Sequence, residues 1–319
     1  MFTHLNRQID RLSLDHQRGA AEIVEDATKL LLDIVQVGID DPDDPSEAEA
    51  LWNRAIRRLA RGQPSMAPVL NLQNRACLAI DTSMPDDPIS SEDPDSYDWD
   101  ILSQTLQGFQ ESRKNQKETM IEKINELPHI DGTLLTFSNS STISQVIIAC
   151  YQLGFPKNVI CSEGRPMMEG VMMARKLRAA GIPVTLFTDA ALMSRIIEVD
   201  AVWVGGDAFS QQGLTNKVGS RALAMLAQER RIPFISLMML DKFLAPELLP
   251  FLGLLPQNPR EIAGNETKGL DVINEYYENI PSDLVSYVFT EQGLAAPNEM
   301  LKFNQLEKVS PLFQRLVQE

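Results

Sequence analysis

From Gly132 onward, short β-branched and apolar runs alternate with segments of helical period, and few folds accept that alternation. Thr133–Ser138, Asn158–Ser162, Pro183–Thr188, Ala201–Gly205, Pro233–Met238 and Leu284–Phe289 read as strands. Between the first five lie Ser141–Leu153, Met167–Ala180, Ala190–Ile197 and Asn216–Arg230, whose apolar residues recur at helical spacing. Strands that are apolar on both faces and separated by helices build βαβ units in a mostly parallel sheet with right-handed crossovers. Gly181-Ile-Pro and Arg231-Ile-Pro each stop a helix and launch the next strand.

Upstream of that point the pattern is helical. Asp15–Val37 carries Ala20, Ile23, Val24, Ala27, Leu30, Leu31 and Ile34 close to the helical period and stops at Gly38. Asp40–Glu49 is an acidic loop with two prolines, and a helix starts within it at Ser46, with acids in its first turn where the helix dipole favours them. Leu51–Leu59 continues that helix. After Pro64 and Pro68, Val69–Ala79 reads as a short helix and Ile101–Leu127 as a long, polar, amphipathic one. Met84–Asp100, with seven acids and repeated Asp-Pro junctions, reads as an exposed linker or insertion. The expected fold class is α/β: a helical N-terminal domain, residues 1–128, followed by a Rossmann-like, mostly parallel sheet flanked by helices, residues 129–319.

Charge limits what such a molecule binds. The chain has 29 Lys and Arg against 44 Asp and Glu, a formal charge of −15. Duplex nucleic acid and anionic lipid both need net phosphate neutralisation, so neither is expected as the main partner. No apolar run reaches the ~18 residues of a spanning helix; Phe243–Leu255 is broken by Pro246, Glu247 and Pro250. Met1–Asp15 is too polar for a signal peptide. Cys77, Cys150 and Cys161 have no metal spacing and no even pairing, which reads as a reducing, cytoplasmic setting. Three scattered histidines exclude a His-rich metal site, and no cofactor is called for.

Ligands of such sheets sit beyond the carboxyl ends of the strands, and the residues there are polar. The first strand ends in Ser138-Asn-Ser-Ser-Thr142, the second in Ser162-Glu-Gly-Arg-Pro166, the third in Thr188-Asp189 and the fourth in Gly205-Gly-Asp207. Gly213-Leu-Thr-Asn-Lys-Val-Gly-Ser220 then opens a helix. A glycine-rich helix start bearing Lys217 is a seat for an anion, although its spacing is neither a dinucleotide fingerprint nor a P-loop. The same residues fit a turn with Asn216 as N-cap and Lys217 in solvent. Asp207 is either a turn-former or a carboxyl group placed for proton transfer. Ser138–Thr142 is either a helix cap or a nest of donors for phosphate and hydroxyls. Arg165 either binds substrate or caps a neighbouring helix. Gly19, where Arg18-Gly19-Ala20 opens a helix, lets a ligand or another helix approach. Four such clusters at one edge of one sheet carry more weight than any one of them.

With these residues placed, the chain resembles the superfamily of the α, β and δ subunits of translation initiation factor 2B. That superfamily also holds methylthioribose-1-phosphate isomerase and ribose-1,5-bisphosphate isomerase. The resemblance covers most of the chain and is strongest from Gly132 to Phe243. Glu163-Gly-Arg-Pro-Met-Met-Glu-Gly170 resembles the family's Glu-Ser/Thr-Arg-Pro-x-x-x-Gly, and Val204-Gly-Gly-Asp207 with Asn216-Lys-Val-Gly219 resembles its Gly-x-Asp and Asn-Lys-x-Gly pair. Gly181–Ala191, Ile280-Pro-Ser-Asp-Leu-Val, Thr290-Glu-Gln-Gly293 and Gln17-Arg-Gly-Ala-Ala-Glu-Ile23 are similar to further family segments, in the family's order.

The resemblance implies a homodimer built through the Rossmann-like domain and a sugar-phosphate pocket between the domains. In the isomerases a Cys after the first strand and the Asp of Gly-x-Asp exchange protons with the substrate. Asp207 matches the Asp, whereas Ser138 stands where the Cys belongs. Gln63 stands where relatives often carry Arg, and Cys161 is the thiol that could substitute. The initiation-factor subunits mostly lack the Asp and the full Asn-Lys pair, which this chain keeps. The implied protein binds a phosphorylated sugar or nucleotide-like small molecule. As an aldose–ketose isomerase it would use Asp207 and Ser138 for catalysis and Arg18, Gly19, Ala20, Ser140, Ser141, Arg165, Asn216 and Lys217 for binding. The alternative is a non-catalytic, ligand-sensing protein of the initiation-factor kind.

Overall fold

The computed structural model describes residues 2–15, 18–41, 44–83, 97–304 and 308–318. Most of the acidic segment Met84–Asp100, residues 84–96, lies outside the described residues. Internal contacts divide the chain into two units. The first is Met1–Asn115 with Glu247–Leu252 and Leu306–Glu319; the second is Gln116–Pro246 with Gly253–Gln305. This division differs from a cut after residue 128. Met120, Ile124 and Leu127 are buried among sheet residues such as Leu134 and Trp203, so hydrophobic burial assigns them to the second unit.

The first unit is helical: α1 (Phe2–Ser13), α2 (Ala20–Asp40), α3 (Ser46–Gly62), α4 (Ala67–Ser83), most of α5 (Trp99–Glu122) and, far along the chain, α12 (Pro311–Gln318). The polar look of the N-terminus hid α1, whose Leu5, Ile9 and Leu12 form one buried stripe, and α1 packs on α3. Ile23, Leu31, Ile34, Trp52 and Ile56 are fully buried, each worth about 2 kcal/mol of apolar transfer. Gly38 does not end α2, which runs on to Asp40. A Cβ there would run into the Trp99 indole, so the glycine admits a large side chain rather than stopping a helix. Trp99 in turn meets Trp52 edge to face, with ring centroids 6.5 Å apart.

The second unit is built on β1 (Thr133–Phe137), β2 (Asn158–Ser162), β3 (Val184–Phe187), β4 (Ala201–Val204), β7 (Phe234–Leu237), β9 (Tyr287–Thr290) and β10 (Gly293–Ala295). They form one sheet in the order β10-β9-β7-β4-β1-β2-β3, parallel except for β10. Its helices are α6 (Ser141–Gln152), α7 (Glu169–Ala179), α8 (Asp189–Met193), α9 (Ser220–Arg230), α10 (Arg260–Ala263) and α11 (Pro297–Met300). Strand alternation sorts the core. Leu135, Phe137, Val202 and Val204 face one apolar cluster, while Leu134, Ala201 and Trp203 face the other. The chain leaves β1 for β2 and β3 on one side and resumes at β4 on the other. The crevice between the ends of β1 and β4 is therefore the topological switch point, where open sheets hold their ligands.

Three elements depart from the pattern read in the sequence. Gly213–Lys217 is a strand, β6, not a loop opening a helix. It lies between β5 (Ala208–Ser210) and β8 (Tyr277–Ile280) in a small antiparallel sheet. Helix α9 accordingly starts at Ser220 rather than Asn216. The last long strand is shifted to Tyr287–Thr290, because Ser282–Leu284 closes a tight turn after Pro281. Among the described residues no helix is long and apolar enough to cross a membrane.

Candidate active site

At the switch point β4 gives way to Gly205-Gly206-Asp207. The Asp207 amide donates to the Thr215 carbonyl at 2.9 Å, which locks the turn to β6. Two residues past Thr215, the same strand carries Lys217. A hairpin thus brings to one place two charges that the sequence separates by ten residues. The Lys217 side chain is 6% exposed, and its Nζ lies 2.8 Å from Glu169 Oε1. The same ammonium sits 4.8 Å from the centroid of the Tyr276 ring.

Glu169 is the first residue of α7. A Cβ on the next residue, Gly170, would collide with the Ser162 carbonyl, so glycine is what lets this helix start dock against the end of β2. Glu169 Oε1 also accepts from Ser138 Oγ at 3.2 Å. Ser138 follows β1 directly, in the left-handed region at φ +67°. That conformation costs a non-glycine residue roughly 1 kcal/mol or more, and such strain gathers at functional sites. Glu169 Oε2 is buried without a hydrogen-bond partner.

Asp207 lies within the field of this group. Burial pushes its carboxyl up to about 6; Lys242 and Lys217 pull it down, and Glu169 pushes it up again. A carboxyl group near 6 is matched to proton transfer at neutral pH. Lys242 is buried, and its Nζ donates to the Gly206 carbonyl at 2.5 Å, beneath the turn that carries Asp207. Glu169 and Lys242 were not singled out from the sequence. The signal for Lys242 was a lone lysine in the apolar stretch Phe234–Leu244; Glu169 gave none beyond its place in the motif.

Other predicted residues have local partners. Ser140 caps α6, its Oγ accepting from the Ile143 amide at 3.3 Å, and Ser141 is the first residue of that helix. A Cβ on Gly205 would touch Ser140 Oγ, so the α6 N-terminus abuts the end of β4. The Asn216 side-chain Nδ2 donates to Ser220 Oγ at 3.0 Å instead of capping α9. The first turn of α9 already holds an anion, the Glu278 carboxylate, which accepts from the amides of Gly219 (2.6 Å) and Arg221 (2.9 Å). Arg165 donates to the Ile262 carbonyl of α10 at 2.7 Å, while its own amide and that of Gly164 donate to the Asp189 carboxylate.

Cys161 is buried in β2 with its thiol pushed up to about 12 by burial, so it offers no thiolate at neutral pH. In the helical unit, Arg18 pairs with Asp15 (2.7 Å) and Asp26 (2.6 Å). Gly19 is the N-cap of α2, and Ala20 its buried first residue. Gln63 is buried, its amide donating to the carbonyls of Leu12 and Asp15.

A model of the Initiation factor 2 subunit family matches residues 16–297. The ribose 1,5-bisphosphate isomerase of Methanocaldococcus jannaschii is 32% identical over 219 residues, 62% of this chain and 70% of that protein. The ribose 1,5-bisphosphate isomerase of Archaeoglobus fulgidus is 37% identical over 194 residues, 58% of this chain; the chain spans 62% of that protein's length. Among solved structures, the translation initiation factor eIF-2B of Pyrococcus horikoshii OT3 superposes with a TM-score of 0.77 at 22% identity, over 93% of this chain and 98% of that one. At that identity the likeness concerns the fold.

Proposed function

The chain belongs to the initiation factor 2 subunit family, and from that premise we propose that it binds a phosphorylated pentose and interconverts its aldose and ketose forms by proton transfer. The observation that carries the reading is Asp207, raised to about 6 at a strand end beside two buried lysines. Asp207 is the general acid and base: it protonates the C1 carbonyl oxygen of a free aldose, or the ring oxygen of a C1 phosphate as the C1–O4 bond breaks, and it takes the O2 hydroxyl proton as the resulting enediol or enol phosphate collapses. Ser138 holds the second catalytic position. Asn216 and Lys217 orient the sugar. Ser140, Ser141 and the N-terminus of α6 are the donors for phosphate, with Arg165 at the rim. Relatives named ribose 1,5-bisphosphate isomerase support this chemistry.

The test is direct. Purified protein is incubated with ribose 1,5-bisphosphate and other pentose phosphates in deuterated buffer, and deuterium at C2 of the aldose and C1 of the ketose is followed by NMR. Exchange is expected, with a rate that declines as pH rises above about 6 because the protonated fraction of Asp207 falls. No exchange with any pentose phosphate at high protein concentration ends the reading. A second reading is a ligand sensor without turnover, favoured by the Ser138 hydroxyl donating to Glu169 rather than standing free. It predicts that Asp207→Asn keeps ligand binding, measured by calorimetry, with no activity to lose. A homodimer, read by analytical ultracentrifugation, belongs to both readings.

A further inference from the structure

The isomerisation reading leaves Ser138 with a difficulty, since a serine hydroxyl is a poor base unless a neighbour takes its proton. The structure supplies the neighbour. Ser138 donates its hydrogen bond to Glu169 Oε1, so its lone pairs are the part left for a ligand. Glu169 pairs with Lys217 Nζ at 2.8 Å, and its side chain is only 14% exposed. Its second oxygen, Oε2, is buried and accepts from nothing.

We infer that Glu169 is a positioning residue that activates Ser138 as the base, and that the Ser138–Glu169 pair forms a proton relay. The inference rests on the isomerisation reading. In the first half, the C2–H bond breaks and its proton goes to Ser138 Oγ, while the Ser138 hydroxyl proton passes to Glu169 Oε1. The C2–H electron pair becomes the C1=C2 bond; in a free aldose the C1 carbonyl oxygen takes the proton of Asp207, and in a C1 phosphate the C1–O4 ring bond breaks and O4 takes that proton. In the second half, Asp207 takes the O2 hydroxyl proton and C2=O forms. The C1=C2 pair then takes the proton from Ser138, which recovers one from Glu169. Every group returns to its starting state, and no outside reactant is needed. Lys217 keeps the carboxylate in place and stands next to the charge that moves.

The experiment is a double-mutant cycle read by deuterium exchange. Glu169→Gln keeps size and an acceptor for Ser138 and Lys217 but cannot take a proton at that oxygen. It is expected to slow exchange about 100-fold with little change in substrate binding. In a Ser138→Cys background the same change is expected to cost under about threefold, because a thiol (pKa ≈ 8.5) ionises without a relay. Ser138→Ala leaves the Lys217–Glu169 pair intact and guards against misfolding. It should lose as much as Glu169→Gln, and adding Glu169→Gln to it should cost nothing more. An equal loss in the Ser and Cys backgrounds, or full activity of Glu169→Gln, overturns the relay while leaving the isomerase standing. No exchange by the unaltered protein overturns both.

Discussion

The ends of β2 and β3 and the ends of β1 and β4 look alike in the sequence, each a few polar residues after an apolar run. In the structure they are opposites. At β2 and β3 the Asp189 carboxylate takes the amides of Gly164 and Arg165 at 2.9 and 2.7 Å, one to each oxygen, and the Arg165 side chain ends on a carbonyl. At β1 and β4 the needs are left open. Ser138 is held at positive φ, Glu169 Oε2 is unpartnered, and Asp207 is raised by burial that two lysines only partly offset. Polar groups that satisfy one another build a knot; groups desolvated in each other's field remain able to exchange protons.

Substitutions can break this contrast. The largest effect falls on Asp207→Asn, which should slow deuterium exchange roughly 10³-fold, while Asp189→Asn should leave the rate per folded molecule within about threefold. Lys217→Met comes next. It strands the Glu169 carboxylate in a buried place and should cost about 3 kcal/mol in urea unfolding. Asp189→Ala removes two charge-assisted acceptors at the quieter end and should cost about 2 kcal/mol.

A further effect has a pH sign and vanishes in acid. The Asp207 carboxyl titrates near 6 when folded and near its ordinary value of about 3.9 when unfolded. The folded state holds the proton more tightly, so the stability that protonation lends is present below about pH 4 and lost as pH rises through about 6. Asp207→Asn should therefore stabilise the fold by about 3 kcal/mol at pH 8 and by little at pH 4, with thermal melts as the check. Smallest of all, Cys161→Ala should leave the exchange rate per folded molecule within about twofold, because the buried thiol supplies no nucleophile or base. A larger loss would return the thiol to the reaction.

The sheet was legible because fully buried strands write their own signature. Asn158–Ser162 has the same bounds in sequence pattern and structure, the ends of β1, β4 and β7 differ by at most one residue, and β9 starts three residues later than expected. The site was legible in part. Asp207 and Ser138 follow apolar runs, so their place at strand ends could be inferred. Gly213–Lys217 was misread because its pairing partner, β8, lies some sixty residues downstream, and nothing local marks a central strand in a sheet of three. The same distance hid Glu278 as the anion at the start of α9. The carbonyl that takes Arg165 belongs to Ile262, again far along the chain.

Local composition and period by themselves determined the α/β class, the alternation of strands with helices, and the polar ends that line the carboxyl edge. Those features follow from hydrophobic periodicity and turn chemistry, which act over a few residues. Only the tertiary structure decided which of those ends leave their polar groups unsatisfied. Carboxylate, ammonium and hydroxyl acquire their roles from the distances and the dielectric around them, and those are set by residues that meet across long stretches of chain.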